Sequence, residues 1–427
     1  MPALPLSIYV HLPWCVHKCP YCDFNSHALT GALPEAEYLE QLCADMEHEA
    51  PRWASRAVQT IFLGGGTPSL FSADAIATLI SRLRRTFAIA TDAEITLEAN
   101  PGTVDAERFA GFRAAGVNRL SIGVQSFEDN ALRRLGRIHD GDCARRAIEF
   151  AQAAGFAHIN VDLMHGLPEQ TVAGAIHDLD IAMASGVGHV SWYQLTIEPN
   201  TAFFRAPPPL PDEDRLDDIE SRGYEQLLAN GFSRYEVSAW CIGGATAQHN
   251  LNYWRFGDYI GLGAGAHGKH SVWHEDGLHI ERYQKSRIPR DYFRDCTRKN
   301  VRRVTAADLP FEFLLNALRL RDGVPEALFA THTGLGIETL QPALGQLRAE
   351  GLMDGDRLAA TARGWRYLDS LLAAFILERP DSPAAPLHFS VNGRDIDGDA
   401  AKNEIRDVMP EGDAAALETG GRPLRWT

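Results

Sequence analysis

The sequence predicts an α/β protein: repeated βα units with a parallel sheet, followed by a small winged-helix-like domain. Three observations carry this. Between Ser7 and Thr196, six apolar strand-like runs alternate with longer helical patterns, the rhythm of βα repeats. Each run ends in, or carries, a residue poorly suited to a packed core. A composition of 45% hydrophobic and 23% charged residues supplies ample core material and excludes wholesale disorder.

The strands are expected at Ser7 to Leu12, Thr60 to Leu63, Glu94 to Glu98, Arg119 to Val124, His158 to Met164 and His189 to Thr196. Helices are expected at Pro34 to Glu49, Ala73 to Phe87 with Ser72 as N-cap, Asp105 to Ala115, and Gly141 to Ala154. The special residues along the strands are Cys15, the run Gly64-Gly65-Gly66-Thr67-Pro68, Glu98, Gln125, Asp162 and Gln194. Barrel-like α/β folds build their site at the C-terminal ends of parallel strands, so one rim carrying all of these predicts one shared site.

Beyond the stiff loop Ala206 to Pro211, a helix is expected over Asp212 to Asn230 and a strand over Tyr235 to Trp240. From Val304 the apolar positions Leu309, Phe313, Leu314, Ala317 and Leu320 recur at helical spacing. A helix ending near Glu350 leads into Gly351 to Met353, the Asp354-Gly355-Asp356 turn, Arg357 to Ala360 and a helix over Thr361 to Leu377, a winged-helix-like order. The expected division is residues 1–300, 301–379 and a polar tail 380–427, the last with a hairpin at Leu387 to Ile396 around Asn392-Gly393.

Forty-one Lys and Arg against 56 Asp and Glu leave a net charge of −15, a field that disfavours nucleic acid and anionic membranes as partners. No run reaches the ~20 predominantly apolar residues of a spanning helix, and Met1 to Trp14 shows no secretory pattern. The cytoplasm is the expected location. Three of the seven cysteines, Cys15, Cys19 and Cys22, stand at C-x3-C-x2-C spacing, which suits one inorganic centre better than a disulfide scaffold. Zinc remains the alternative, with His11 or His17 completing a Cys3His site.

An all-protein [4Fe–4S] cluster takes four cysteines, so three leave one iron open to a small chelator. On this spacing, the stretch from about Ser7 to Thr196 resembles the radical S-adenosylmethionine superfamily. The resemblance implies a partial (β/α)6 barrel, a [4Fe–4S] cluster on Cys15, Cys19 and Cys22, and S-adenosylmethionine at the open iron. Closer strings, YVHLPWC at Tyr9 to Cys15, GVQSF at Gly123 to Phe127 and VDLMHGLPEQT at Val161 to Thr171, resemble the oxygen-independent coproporphyrinogen III oxidase group. That resemblance implies S-adenosylmethionine contacts at Tyr9, Tyr21, Gly65, Gly66, Thr67, Glu98, Gln125, Arg137 and Asp162. The glycine run is expected to bring backbone N–H groups close to the ligand, and Arg137 to fork onto its carboxylate.

The oxidases carry a further Cys two residues after the third, where this chain has Phe24, and the segment before Cys15 is short. Both departures resemble the haem-chaperone branch of the group. So does His249-Asn250-Leu251-Asn252-Tyr253-Trp254, which matches its H-N-x-x-Y-W motif. The resemblance implies haem held at His249, Asn250, Tyr253 and Trp254, with an imidazole on iron and aromatic rings on the porphyrin. His267 ranks below His249 as a ligand. The partners implied are haem and haem-accepting proteins, with docking on a membrane-bound recipient and homodimerisation both compatible. No catalytic residue is assigned. Oxidative decarboxylation of coproporphyrinogen III and a structural zinc protein stand as the alternatives.

Overall fold

The computed structural model describes residues 4–376 and the backbone of two short antiparallel strands, Phe389–Val391 and Arg394–Ile396. The Asn392-Gly393 turn and the remainder of the tail lie outside the described residues. The chain forms two compact units. One comprises Met1–Tyr253, Gly257–His274 and His279–Arg303; the other comprises Trp254–Phe256, Glu275–Leu278 and Val304–Thr427.

Six parallel strands form the heart of the first unit: β1 (Leu6–Leu12), β2 (Val58–Gly65), β3 (Ile89–Ala99), β4 (Arg119–Gln125), β5 (His158–His165) and β6 (His189–Gln194). Consecutive strands pair in parallel register. The sheet runs further than the six strands expected. A hairpin of β7 (Ser233–Glu236) and β8 (Ala239–Cys241) continues antiparallel from β6, so the single strand expected over Tyr235 to Trp240 folds back on itself. On the opposite edge β9 (Asp258–Leu262) pairs parallel to β1. It is followed by β10 (His267–His274), β11 (Gly277–Lys285) and β12 (Lys299–Arg303), giving a 12-stranded sheet in the order β12-β11-β10-β9-β1-β2-β3-β4-β5-β6-β8-β7.

Crossover helices α1 (Glu35–Glu49), α2 (Ala73–Thr86), α3 (Ala106–Ala115) and α4 (Gly141–Ala153) stand where the sequence places them. Two further helices complete the set, α5 (Val172–Ala184), which the sequence reading leaves unassigned, and α6 (Glu213–Ala229). Their starts are chemically marked. Ser72, Asp105, Asp140, Thr171 and Asp212 each accept a backbone N–H from three residues on, an N-cap worth about 1 kcal/mol apiece.

Period-two alternation sorts the parallel strands into two chemistries. One set, including Ile8, Val10, Leu12, Ile61, Leu63, Ile95, Leu97, Leu120, Ile122, Val161, Leu163, Val190 and Trp192, joins the hydrophobic core. The alternate set carries Ser7, Tyr9 and His11 on β1, Glu94, Thr96 and Glu98 on β3, Ser121 and Gln125 on β4, Asn160 and Asp162 on β5, and Ser191 and Tyr193 on β6. These hydrogen-bond to one another across strands: Thr60 Oγ1 donates to Ser7 Oγ at 2.7 Å, and Ser121 Oγ to Asp162 Oδ2 at 2.9 Å. The inner face is therefore a polar chamber.

The second unit packs Leu309, Phe313, Leu314, Ala317 and Leu320 in its core, all buried as their spacing predicts. Val324–Pro325 pairs antiparallel with Arg357–Leu358, and a bridge joins Met353 to Ala360 around the Asp-Gly-Asp turn. The final helix divides at Tyr367 into Ala362–Arg366 and Leu368–Ala373.

Candidate cofactor site in the barrel

Beyond β1 the chain runs through Pro13 into Trp14–Cys15, which lies parallel to His27–Ala28, and the Cys22 N–H bonds the Cys19 carbonyl at 3.1 Å. Cys15 is buried, Cys19 and Cys22 half-buried, and none is in a disulfide. Burial raises the thiol pKa values of Cys15 and Cys22, opposed by hydroxyl donors: Thr67 and Ser26 at Cys15, Ser26 at Cys22. The Arg137 guanidinium lies 3.7 Å from Cys19 Sγ. Three thiols ringed by hydroxyl and guanidinium donors fit a thiolate-held iron–sulfur cluster.

The zinc alternative loses its inner candidate. His11 Nε2 donates to the Asn25 carbonyl at 2.9 Å, so Nδ1 is the lone-pair nitrogen, and that accepts the Tyr9 hydroxyl at 2.8 Å. Neither nitrogen is left for a metal. His17 is exposed.

The Gly64-Gly65-Gly66-Thr67 turn is needed for packing. Gly65 adopts φ +117°, and a Cβ there would meet the His11 ring at 2.7 Å; a Cβ on Gly66 would meet the Trp14 carbonyl at 2.6 Å. The expected free N–H groups are taken up within the fold. Gly65 N–H bonds Glu98 Oε2 at 3.1 Å, Gly66 N–H the Leu12 carbonyl at 2.9 Å, and Thr67 N–H the Trp14 carbonyl at 2.8 Å. The glycines thus tie the turn to the cysteine loop and to Glu98, because backbone donors this deeply buried must be paired.

Glu98 and Asp162 face each other closely enough to interact. Burial, and then the Asp162 charge, push the Glu98 carboxyl up to about 8. Burial also raises Asp162, against donors from Ser121 and Asn160 and the Arg137 charge. Arg137 donates through Nη2 to the Gly123 carbonyl at 2.7 Å and reaches Tyr21 Oη at 3.5 Å, while its buried Nε has no partner. Among the described residues nothing accepts from that donor, and a ligand carboxylate would satisfy it. Gln125 sits at a bulge with φ +71° and accepts the Tyr193 hydroxyl at 2.8 Å. A left-handed non-glycine at a strand end is held by its surroundings.

Each candidate haem residue has its own partners. His249, on α7 (Gln248–Trp254), is buried on the inner face of the barrel; its backbone N–H and Nδ1 both meet Glu94 Oε1 at 3.0 Å, and its ring lies 4.3 Å from Phe62. Nδ1–H therefore donates to the carboxylate, which makes Nε2 the lone-pair nitrogen. Asn250 lies near the Tyr235 hydroxyl, where it opposes the rise that burial gives that hydroxyl's pKa. Tyr253 stands edge-on to Tyr259 at 4.9 Å and shares the field of Glu98. Trp254 groups with the other unit, under the Arg319 guanidinium at 4.3 Å. His267 is exposed at the start of β10, and Phe24 is exposed beside the cysteines.

Several site residues escape sequence reasoning. Tyr193, one position before Gln194, is the β6 residue that reaches Gln125; strand alternation carries that signal. Glu94, His189 and Tyr235 carry none, because their partners are far away in sequence.

A radical SAM superfamily model matches residues 9–180, and a HemN C-terminal domain model matches residues 304–367. The chain is 49% identical over 376 residues to the heme chaperone HemW of Escherichia coli, covering 88% of this chain and 99% of that protein. It is 32% identical over 380 residues to the heme chaperone HemW of Bacillus subtilis, covering 87% and 99%. Among solved structures, the coproporphyrinogen III oxidase HemN of Escherichia coli superposes with a TM-score of 0.73 at 24% identity, over 88% of this chain and 91% of that one, which shows a shared fold. With this likeness spanning nearly the full length of its relatives, the chain belongs to the HemW family within the radical S-adenosylmethionine superfamily.

Proposed function

We propose that the protein is a haem chaperone that binds haem and passes it to haem-requiring proteins. The observation that carries this reading is the 49% identity over almost the whole of a protein described as a heme chaperone. In this reading Cys15, Cys19 and Cys22 hold a [4Fe–4S] cluster. Tyr9, Tyr21, Gly65, Gly66, Thr67, Glu98, Gln125, Arg137 and Asp162 form the S-adenosylmethionine pocket. Arg137 Nε supports it as the donor in need of a ligand acceptor, and Glu98 and Asp162 as acceptors for ribose hydroxyls. When bound, a reduced cluster of this kind supplies single-electron chemistry.

His249 is the haem ligand in this reading, through Nε2. The Glu94 carboxylate on Nδ1–H supports it, since metal-ligating imidazoles characteristically carry such a partner. Haem-accepting proteins are the partners, and the cytoplasm is the site of action. Among the described residues no helix is long and apolar enough to cross a membrane, so contact with a membrane-bound recipient would be made by the protein surface.

Two experiments test the proposal. Cluster-reconstituted protein incubated anaerobically with coproporphyrinogen III, S-adenosylmethionine and a strong reductant is expected to yield no protoporphyrinogen IX, while a bona fide oxidase turns over in parallel. Substantial turnover makes the protein an oxidase despite Phe24. His249→Ala is expected to lose tight haem binding, read by its absorption spectrum; unchanged affinity and spectrum would remove His249 as the ligand.

A further inference from the structure

A continuous hydrogen-bond chain runs along the inner face of the barrel from the start of α7 to Asp162, and its donor direction can be assigned from chemistry. Asp162, as a carboxylate, only accepts, so the Asn160 atom 2.7 Å from it is the NH2 group, which also donates to Ser121 Oγ at 2.8 Å. The other Asn160 atom is then the carbonyl oxygen. It accepts Ser191 Oγ–H at 3.1 Å and, at 2.6 Å, His189 Nδ1, which must carry the proton. His189 Nε2 is then an acceptor, and the Tyr235 hydroxyl donates to it at 2.9 Å. Having donated, that hydroxyl accepts from Ala247 N–H at 3.3 Å, and the Asn250 side chain is near enough to act on it.

Every link points the same way. Ala247 donates to Tyr235, Tyr235 to His189, His189 to Asn160, and Asn160 to Asp162. His189 and Asn160 are buried, where aligned hydrogen bonds reinforce one another and a broken one leaves its neighbour unsatisfied. The chain also joins the two parts of the sequence to which separate ligands were assigned.

We propose that Tyr235, His189 and Asn160 are positioning residues that hold Asp162 as an oriented carboxylate acceptor, and that through them the 247–250 segment tunes the affinity of the Asp162 pocket for the ribose diol of S-adenosylmethionine. This rests on the reading of Asp162 as a ribose contact. A ligand that engages Asn250 or shifts α7 acts on the first link, so events at the haem motif reach the nucleoside pocket without a shared contact.

The test is equilibrium dialysis of S-adenosylmethionine with cluster-reconstituted full-length protein, for the parent, Tyr235→Phe, Asn250→Ala and Asp162→Asn, between pH 6 and 9. Tyr235→Phe deletes one hydroxyl that both accepts and donates in the chain. It is expected to weaken binding about three- to tenfold at neutral pH, the size of one or two neutral hydrogen bonds, with a thermal midpoint near the parent's. The loss should grow toward low pH, because Asp162 with a less firmly held Asn160 donor protonates more easily; a purely structural defect would lower affinity equally at all pH values. Glu98, Arg137 and Tyr193 face the same carboxyl and are untouched. Asn250→Ala, which removes only the side chain beside the Tyr235 hydroxyl and spares the buried chain itself, is expected to cost about twofold. Parent-like affinity and pH profile in both variants, with Asp162→Asn impaired, overturns the inference alone. Parent-like binding by Asp162→Asn overturns the ribose assignment and the inference with it.

Discussion

At the scale of single residues, the chamber concentrates groups whose charge depends on occupancy. Glu98, buried beside Asp162, has its carboxyl pushed up to about 8. A carboxyl raised on folding stabilises the protein below its unfolded value, and that stabilisation is lost as pH rises through the folded one. The ligand-free protein should therefore lose thermal stability between about pH 4.5 and 8, and Glu98→Gln should flatten the decline. Thermal midpoints measured across that window check this; parallel curves for parent and variant would remove Glu98 as the source. The cysteines and the glycine turn were legible at this scale, since spacing and residue type alone mark them. The partners of the turn were not, because Leu12, Trp14 and Glu98 take its N–H groups across the fold.

At the scale of elements, packing is joined by buried ionic clusters. Lys285 on β11 reaches Asp45 Oδ1 at 2.5 Å and Glu49 Oε1 at 2.9 Å on α1, with no side-chain exposure on any of the three. Asp45 also accepts Tyr292 Oη at 2.8 Å and Gly263 N at 3.1 Å. The cluster fastens the first crossover helix to the strands that extend the sheet beyond β1. Removing one partner leaves buried charge uncompensated, so Lys285→Met is expected to cost about 3–5 kcal/mol in urea unfolding. A change within 1 kcal/mol would show that the carboxylates protonate or rehydrate without penalty. Most elements were legible from periodicity and caps. The β7–β8 hairpin was not, as its turn interrupts an apolar run that reads as one strand. Nor was α5, whose apolar residues, from Val172 to Ala184, surround too much of the helix to leave a single stripe.

For the whole molecule, net charge and modular order set what it can associate with. The winged-helix-like order of the second unit invites a nucleic-acid reading, yet the chain carries a net charge of −15, and duplex binding draws its affinity from cationic contacts with phosphates. No binding to a labelled DNA duplex is expected at physiological salt in fluorescence anisotropy. Saturable binding in the micromolar range would place a basic surface where the overall balance hides one.

The sequence by itself determined what is local: the thiol spacing, the helix caps, the alternation that divides each strand into core and chamber, and the family strings that go with them. Those features depend on covalent geometry and on neighbours within a few residues, so they survive without knowledge of the fold. Tertiary structure alone decided which distant groups meet. Glu94 holds His249 across 155 positions, and His189 joins Asn160 to Tyr235 across three strands. It also gave the haem-motif residues separate surroundings. The physical reason is long-range strand pairing. Parallel pairing of β9 with β1 and the antiparallel hairpin beyond β6 join stretches far apart in the chain, and no period in the sequence encodes those partners.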